Sequence, residues 1–362
     1  MPKNIVIFSD GTGQKGGKGP STNIYKLFNI IENSTSRQVS FYDPGLGTNW
    51  GQRVAGNVVG AGMSKNILDC YTFISKNFKE GDQIYLFGFS RGAATVRSLS
   101  SFIHYFGIIP ESRPNLVEKA YEIYEYEDES KRKIEVKKFL STQHTIRTRI
   151  KFLGCYDTVD ALGLPDELTD LKTTLVNVFI EMIIKAKARF QKKSLGSIYG
   201  LQYKFHDFKL SESVENAYQA LAIDDERKTF HPILWDPDVL PHQTIKQVWF
   251  CGMHTDVGGG YDEQELSDIP LVWMKKKAVN HGLHINPENS LSINGDVNGY
   301  MHNSRNGLVN SSYHKKQRSW DSNRKDKPVV HKSVLQRNKN VNNNDNPPYK
   351  PWILDLEYEI EQ

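Results

Sequence analysis

The segment from Gln83 to Tyr105 limits the possible folds of this chain more than any other part of the sequence. It opens with an apolar stretch typical of a buried strand, Gln83 to Phe87, and closes with a helical pattern, Ala93 to Tyr105. Between them lies Gly-Phe-Ser-Arg-Gly, with Ser90 at its centre. Glycines two residues before and after a serine let strand and helix approach closely and hold the serine in a strained turn. The segment therefore predicts a sharp strand–turn–helix unit that exposes the Ser90 hydroxyl at the edge of a sheet.

Strand and helix patterns alternate along much of the chain. Further strands are predicted at Asn4 to Phe8, Gln38 to Tyr42, Arg149 to Cys155 and Lys246 to Cys251. Further helices are predicted from Thr22 to Ile31 and from Gly62 to Phe78. This alternation is typical of the α/β class, with a mainly parallel sheet covered by helices on both faces.

The 362 residues are enough to bury a large core, and we predict a single domain over residues 1 to 362. Helical insertions into that domain are predicted at about 111–143 and 166–216. Residues 302–348 are rich in Asn, Lys, Arg and Ser, and this C-terminal region is predicted to be irregular.

The composition narrows the function classes. A net charge of +4 over 362 residues is too small, without a clustered basic face, to indicate nucleic-acid binding. The three cysteines form neither a disulfide framework nor a metal-ligand pattern, which favours a reducing compartment. We detect no signal peptide and no apolar run long enough to span a membrane. We therefore expect a cytoplasmic location in the producing cell, with a leaderless route if the protein is exported.

Four residues with chemically useful side chains directly follow predicted strands. They are Asp10, Ser90, Asp157 and His254. The carboxyl ends of parallel strands meet at one edge of a sheet, so these side chains are expected to lie close together. The sequence thus predicts an active site at that edge.

A serine hydroxyl is a weak nucleophile and needs a base, which an acid in turn must orient. We predict Ser90 as the nucleophile, His254 as the base and Asp157 as the acid, in the chain order of the α/β-hydrolases. Asp160 is a competing acid, although its setting is more typical of a turn or helix cap. Asp256 could orient the histidine without contacting the substrate, or it could anchor its own loop.

Two backbone amides are predicted to bind the oxyanion of the reaction. Arg91 follows the serine at a helix N-terminus, where N–H groups and the helix dipole favour negative charge. The second amide is expected from the loop after the first strand, at Gly11 or Thr12. Asp10 either anchors that loop through backbone N–H groups or forms a simple Asp-Gly turn.

The chain resembles the lipase effectors of type VI secretion, which are built on an α/β-hydrolase domain. The matching segments are Ile7 to Thr12, Tyr42 to Thr48, Gly81 to Ala93, Phe152 to Val159, Ala220 to Arg227, Val248 to Tyr261 and His331 to Val334. The resemblance implies a phospholipase A type esterase with Ser90, Asp157 and His254 as its triad. It also implies a phospholipid or other ester substrate and a cognate immunity or secretion-apparatus protein. One position departs from the family, because Gln219 stands where a histidine is usual.

Rival interpretations of the same residues are weaker. The loop Gly11 to Gly19 lacks the Ser or Thr that a P-loop needs after Lys18. In a haloacid-dehalogenase-type phosphatase the nucleophilic Asp would fall at Phe8. Two ligands at His254 and Asp256 do not make a metal site, and we expect no cofactor. An esterase for non-lipid esters and a catalytically silent interaction module remain the alternatives.

Leu171 to Phe190 is apolar on one face and carries lysines at its far end. This segment could lie on an anionic bilayer, giving peripheral membrane contact, or cover the site as a lid. The competing interpretation is a helix packed against the sheet.

Overall fold

The alternating apolar patterns build one parallel sheet. The computed structural model describes residues 2–11, 17, 19–45, 56–111, 113–159, 210–289, 291–306, 313–339 and 348–362. Within these residues the sheet has eight strands, β1 (Asn4–Ser9), β2 (Gln38–Asp43), β3 (Gln83–Phe89), β4 (Ile150–Tyr156), β5 (Asn216–Ala222), β6 (Thr244–Phe250), β7 (Val329–His331) and β8 (Glu359–Glu361). Their order is β2-β1-β3-β4-β5-β6-β7-β8, and each neighbouring pair runs parallel.

Helices cover both faces of this sheet. The α-helices are α1 (Asn23–Ile30), α2 (Gly56–Asn77), α3 (Arg91–Phe106), α4 (Pro114–Tyr124), α5 (Glu129–Thr142), α6 (His254–Gly258), α7 (Glu265–Asn280) and α8 (Lys332–Lys339). In two of the described helices the N-cap side chain itself accepts a backbone N–H. Thr22 accepts the Tyr25 N–H at the start of α1, and Asp128 accepts the Lys131 N–H at the start of α5.

Successive side chains along a strand point to opposite faces of the sheet, so each face has its own core cluster. Ile5 and Ile7 of β1 pack in one core cluster with residues of α2, α3, α4 and α5. Val6 and Phe8 point the other way, into a second cluster with residues of α1 and α7. The fold is therefore a mainly parallel α/β sheet with helices on both faces, as the sequence predicts.

The strand order changes direction at β1, and this change locates the site. The chain leaves β1 for β2 on one side and then returns to β3 on the other side. Loops that follow β1 and β3 diverge at such a point and leave a crevice at the carboxyl ends of the strands. Gly11 comes two residues after β1, and Ser90 comes directly after β3.

The structure differs from the predicted elements in the C-terminal half. The unpredicted strand β5 lies between β4 and β6, so the strands that precede Asp157 and His254 are not neighbours. Three of the seven residues of β5 are alanines, which have weak strand preference, and this explains the omission. The region 302–348 was predicted to be irregular, and this is wrong for β7 and α8. Three-residue strands such as β7 are too short to show a periodic pattern.

The first predicted insertion, 111–143, contains α4 and α5. The second, 166–216, lies outside the described residues up to position 209, and so does the segment Leu171 to Phe190. Among the described helices, none is long and apolar enough to cross a membrane.

Candidate active site

The turn between β3 and α3 holds Ser90 in a backbone conformation that is rare for this residue type. Its φ is 57° and its ψ is −122°. A Cβ on Gly88 would lie 2.4 Å from the Gly92 carbonyl oxygen, and a Cβ on Gly92 would lie 2.0 Å from the Ser9 carbonyl oxygen. Both glycines are therefore required by close backbone approach. The Ser90 N–H donates to the Tyr156 carbonyl at 3.0 Å, which ties the turn to β4.

Asp157 follows β4 and also has a positive φ, 42°. Its N–H donates to the Ala220 carbonyl at 2.7 Å, and its Oδ1 accepts the Ala222 N–H at 3.0 Å. The side chain is completely buried. Two bonds to β5 thus fix the backbone and carboxylate of Asp157 at the carboxyl edge of the sheet.

His254 is the first residue of α6, and its imidazole meets the Asp157 carboxylate. The distance from His254 Nδ1 to Asp157 Oδ2 is 2.6 Å. The ring packs against Phe89, with 4.7 Å between centroids, and its edge meets Phe230 at 5.2 Å. Because Phe89 precedes Ser90, this packing brings His254 to the same turn as the serine.

The electrostatic setting favours a neutral His254 and an ionised Asp157. Burial lowers the pKa of His254, against the opposing effect of the Asp157 carboxylate. Burial alone would raise the pKa of Asp157, but the Arg318 guanidinium and the hydrogen bond with His254 hold it well below its usual range. A neutral imidazole next to a carboxylate can take up a proton from a hydroxyl group.

Arg318 is a site residue that could not be found from the sequence. Its Nη1 donates to Asp157 Oδ1 at 2.7 Å, and its Nη2 donates to Asp157 Oδ2 at 2.8 Å. Both side chains are completely buried in this ion pair. In the sequence Arg318 is one of many basic residues in a region predicted to be irregular, so nothing separates it from its neighbours.

A second buried ion pair flanks His254. Arg227 donates to Asp225 through Nε at 3.0 Å and through Nη2 at 2.6 Å. Asp225 Oδ2 also accepts the His254 N–H at 3.3 Å. The Arg227 guanidinium lies 3.5 Å from the centroid of Phe230, the ring that meets the imidazole. Sequence reasoning did not assign these residues a place in the site because β5, which they follow, was not recognised.

The loop after β1 lies next to the serine. A Cβ built on Gly11 would lie 3.6 Å from the Ser90 Cβ. The Gly11 N–H, however, donates to Asp10 Oδ1 at 2.7 Å. Asp10 Oδ2 accepts the hydroxyls of Thr22 at 2.6 Å and Tyr42 at 2.7 Å. Asp10 therefore anchors its loop, and burial raises its pKa to about 6.

Asp256 forms a separate pair with a second histidine. Its Oδ1 lies 2.6 Å from His302 Nδ1, and its Oδ2 accepts the N–H groups of Met253 and His302, both at 3.1 Å. The bond to Met253 caps α6 at its N-terminus. Asp256 thus anchors the loop of His254, which is one of its two predicted roles.

The remaining predicted positions take less part in the described geometry. Thr12 and Asp160 lie outside the described residues. Gln219 is buried in β5 and hydrogen-bonds to Thr158, to the Ile233 carbonyl and to Gln247. Within the described residues, no group of three or more His, Cys, Asp or Glu side chains could hold a metal ion.

The family of this chain follows from comparison with known proteins. A model of the Tle1-like phospholipase effectors of the type VI secretion system, catalytic domain, matches residues 3–277. The chain belongs to this family.

Relatives and similar structures are more distant. An uncharacterized protein of Saccharomyces cerevisiae is 32% identical over 188 residues, which cover 45% of this chain and 27% of the yeast protein. A crystal structure of an uncharacterized protein from Pseudomonas aeruginosa is 14% identical with a TM-score of 0.43, over 79% of this chain and 46% of that chain. The Tle1 effector bound to the VgrG spike is 17% identical with a TM-score of 0.32, over 72% of this chain and 52% of the effector. The chain therefore spans about half or less of the length of these proteins.

Proposed function

We propose that this chain is a serine esterase that cleaves the acyl ester bonds of membrane phospholipids, with activity of phospholipase A type. One observation carries the proposal. The buried Asp157 carboxylate lies 2.6 Å from His254 Nδ1, and this imidazole packs on the residue before Ser90. The strained turn at Ser90 and the family membership support the same conclusion.

The proposed reaction proceeds through an acyl-enzyme. With Nδ1–H donated to Asp157, Nε2 of His254 carries the lone pair and accepts the Ser90 proton while Oγ attacks the ester carbonyl. The tetrahedral intermediate then collapses, and the imidazolium returns the proton to the leaving lysophospholipid alcohol. Water, activated by the same histidine, hydrolyses the acyl-enzyme and releases a fatty acid.

The developing oxyanion needs hydrogen-bond donors next to Ser90. We assign the first donor to the Arg91 amide, because Arg91 is the first residue of α3 and lies at the positive end of the helix dipole. Gly11 is the second proposed donor, because it lies beside Ser90. Its N–H must then leave Asp10, or be shared with the oxyanion, when the intermediate forms.

Labelling with a fluorophosphonate probe tests the nucleophile directly. We expect the wild-type chain to be labelled and Ser90→Ala to remain unlabelled. Ser100→Ala is the matched control, because Ser100 lies on the same helix and its hydroxyl bonds to the Arg97 carbonyl. A folded wild-type chain that is not labelled contradicts the enzyme proposal and supports a silent module.

Vesicles of phospholipids with two different acyl chains test the substrate. We expect release of a fatty acid and a lysophospholipid, and mass spectrometry of both products identifies the cleaved position. Hydrolysis of p-nitrophenyl butyrate without any lipid cleavage would leave a serine esterase but would contradict the phospholipid substrate.

The proposal also includes partners. Because a similar structure is the Tle1 effector bound to the VgrG spike, we propose that this chain, made in the cytoplasm, leaves by the secretion apparatus and is held inactive in its producer by an immunity protein. Co-purification with spike and neighbouring proteins of the same genome tests this. The absence of any such complex would contradict it without affecting the esterase proposal.

A further inference from the structure

We propose that Arg318 is a positioning residue of the active site, whose guanidinium keeps the Asp157 carboxylate ionised and oriented toward His254. The inference rests on the proposed function, and it extends the site beyond the residues 3–277 that match the family. The C-terminal region around Arg318 would then be part of the catalytic machinery.

The Asp157 carboxylate and the Arg318 guanidinium form a bidentate pair. Each oxygen of Asp157 receives one nitrogen of the Arg318 fork, at 2.7 and 2.8 Å. Such bidentate pairs fix the plane of the carboxylate as well as its position. The oxygen that receives Nη2 is the same Oδ2 that meets the imidazole of His254.

The protein backbone holds the guanidinium in turn. Nη1 donates to the Ala222 carbonyl at 2.5 Å, and Nη2 donates to the Phe230 carbonyl at 2.5 Å. Ala222 is also the residue whose N–H bonds to Asp157 Oδ1. The end of β5 therefore aligns both members of the pair.

Because the ion pair of Arg318 and Asp157 is buried, its loss would change the protonation of Asp157. Arg318 and Asp157 both have no exposed side-chain surface, so water cannot replace either partner. An unpaired carboxylate in such a place would tend to take up a proton. A protonated Asp157 could no longer stabilise the imidazolium that forms on His254.

Other charged groups also face the pair, and they remain when Arg318 is changed. Asp225 accepts the His254 N–H and is itself neutralised by Arg227. Asp224 bonds to the Gly252 N–H and to the Tyr349 hydroxyl. Arg318 thus bonds to the Asp157 carboxylate itself, whereas Asp225 bonds to the backbone of His254 and Asp224 bonds to Gly252 and Tyr349.

Another arginine of the same region provides a matched control. Arg324 pairs with Asp326, two residues away, and donates to the Trp235 carbonyl at 2.9 Å. It is mostly buried but touches none of the residues of the proposed triad. Arg324→Met removes a guanidinium from the same region without changing the charge at Asp157.

The experiment compares Arg318→Met, Arg318→Lys and Arg324→Met by the pH dependence of kcat/KM with p-nitrophenyl butyrate. In Arg318→Met we expect kcat/KM to fall by up to about 100-fold, because a small misplacement of a reacting group can cost about this much. We also expect the acid limb of the profile to move up by about one pH unit, because without the guanidinium charge the Asp157–His254 pair takes up a proton at higher pH, whichever of the two groups holds it. Arg318→Lys should lie between wild type and Arg318→Met, and Arg324→Met should leave the limb in place.

NMR titration of the His254 imidazole in the Ser90→Ala background gives a readout that does not need activity. The same upward shift on Arg318→Met is expected there. If fluorophosphonate labelling fails but this shift occurs, the proposed function is wrong while the action of Arg318 on the Asp157–His254 pair stands. An acid limb and an imidazole titration that stay in place or move down in a folded Arg318 variant overturn the proposal. So does failure of both Arg318 variants to fold while Arg324→Met folds, because the ion pair then serves stability alone.

Discussion

Two histidine–aspartate pairs each have one member in helix α6, His254 and Asp256, and the two pairs have opposite properties. In both, an imidazole Nδ1 lies 2.6 Å from a carboxylate oxygen, in His254–Asp157 and in His302–Asp256. Burial lowers the pKa of His254. Burial is also the largest single influence on His302, but the carboxylates of Asp256 and Glu263 together outweigh it and raise the pKa of His302.

The difference lies in what surrounds each pair. The carboxylate of Asp157 is shared with Arg318, so the imidazole of His254 receives only part of its charge. His302 instead has a carboxylate at each ring nitrogen, with Glu263 Oε2 3.4 Å from Nε2. A histidine between two carboxylates favours the cation and serves as a fixed link. A buried histidine with one neutralised partner favours the neutral form and can serve as a base. The environment of the pair, more than the pair itself, decides its chemical use.

The largest expected difference between the two histidines is in catalytic activity. We expect His254→Gln to lower kcat by about 10⁴-fold or more, because the proposed base is lost. His302→Gln is expected to change kcat by less than about threefold. The measurement is the rate of ester hydrolysis with equal amounts of folded protein. Equal losses in both variants would show that His302 takes part in the reaction.

A second test concerns stability and its pH dependence. A raised pKa means that the contribution of His302 to stability is fully present below the unfolded value of 6.5 and is lost as the pH rises through the folded pKa. We expect His302→Gln to lower the free energy of unfolding by about 1 kcal/mol at about pH 5 and by less at about pH 8. Urea denaturation at both pH values measures this. A loss that grows with pH would contradict the raised pKa.

The contribution of His254 to stability should change with pH in the opposite direction. Its lowered pKa favours the neutral ring in the folded state, so its contribution is present above 6.5 and is lost as the pH falls through the folded pKa. Imidazole NMR resonances of the two histidines should therefore titrate on opposite sides of the unfolded value. Titration of both on the same side would show that the two pairs do not shift their histidines in opposite directions.

The smallest expected effect comes from Glu263, whose side chain is about half exposed. Glu263→Gln should lower the pKa of His302 by a few tenths, since exposed ion pairs contribute little. His254 serves as the internal reference in the same spectra, and its titration should not change. A shift at His254 would mean that the two pairs are electrostatically coupled.

Some parts of the molecule could be predicted because they depend on neighbouring residues. The turn at Ser90 is set by steric limits within five residues, and Gly88 and Gly92 record those limits in the sequence. The strands before Asp10 and Asp157 are apolar runs bounded by turn residues. The positions of Asp157 and His254 at one sheet edge followed from the rule that parallel strands end together.

Other parts could not be predicted for equally physical reasons. The strand β5 is rich in alanine and has little periodic signal, so its place between β4 and β6 was not recognised. The sequence after His254 is rich in glycine and has no helical pattern, yet the Asp256 carboxylate caps the short helix α6 there. The predicted oxyanion amide of Gly11 lies beside Ser90, but its bond to Asp10 depends on how the loop folds.

By itself the sequence determined the parallel sheet, the strained serine turn and a short set of candidate partners, because local sterics and apolar periodicity act between near neighbours. Only the tertiary structure decided which charges meet. Asp157 and His254 are 97 residues apart in the chain, and Asp157 and Arg318 are 161 residues apart. Electrostatic contacts between such distant groups form only when the sheet and its C-terminal additions are folded together, and no spacing in the sequence records them.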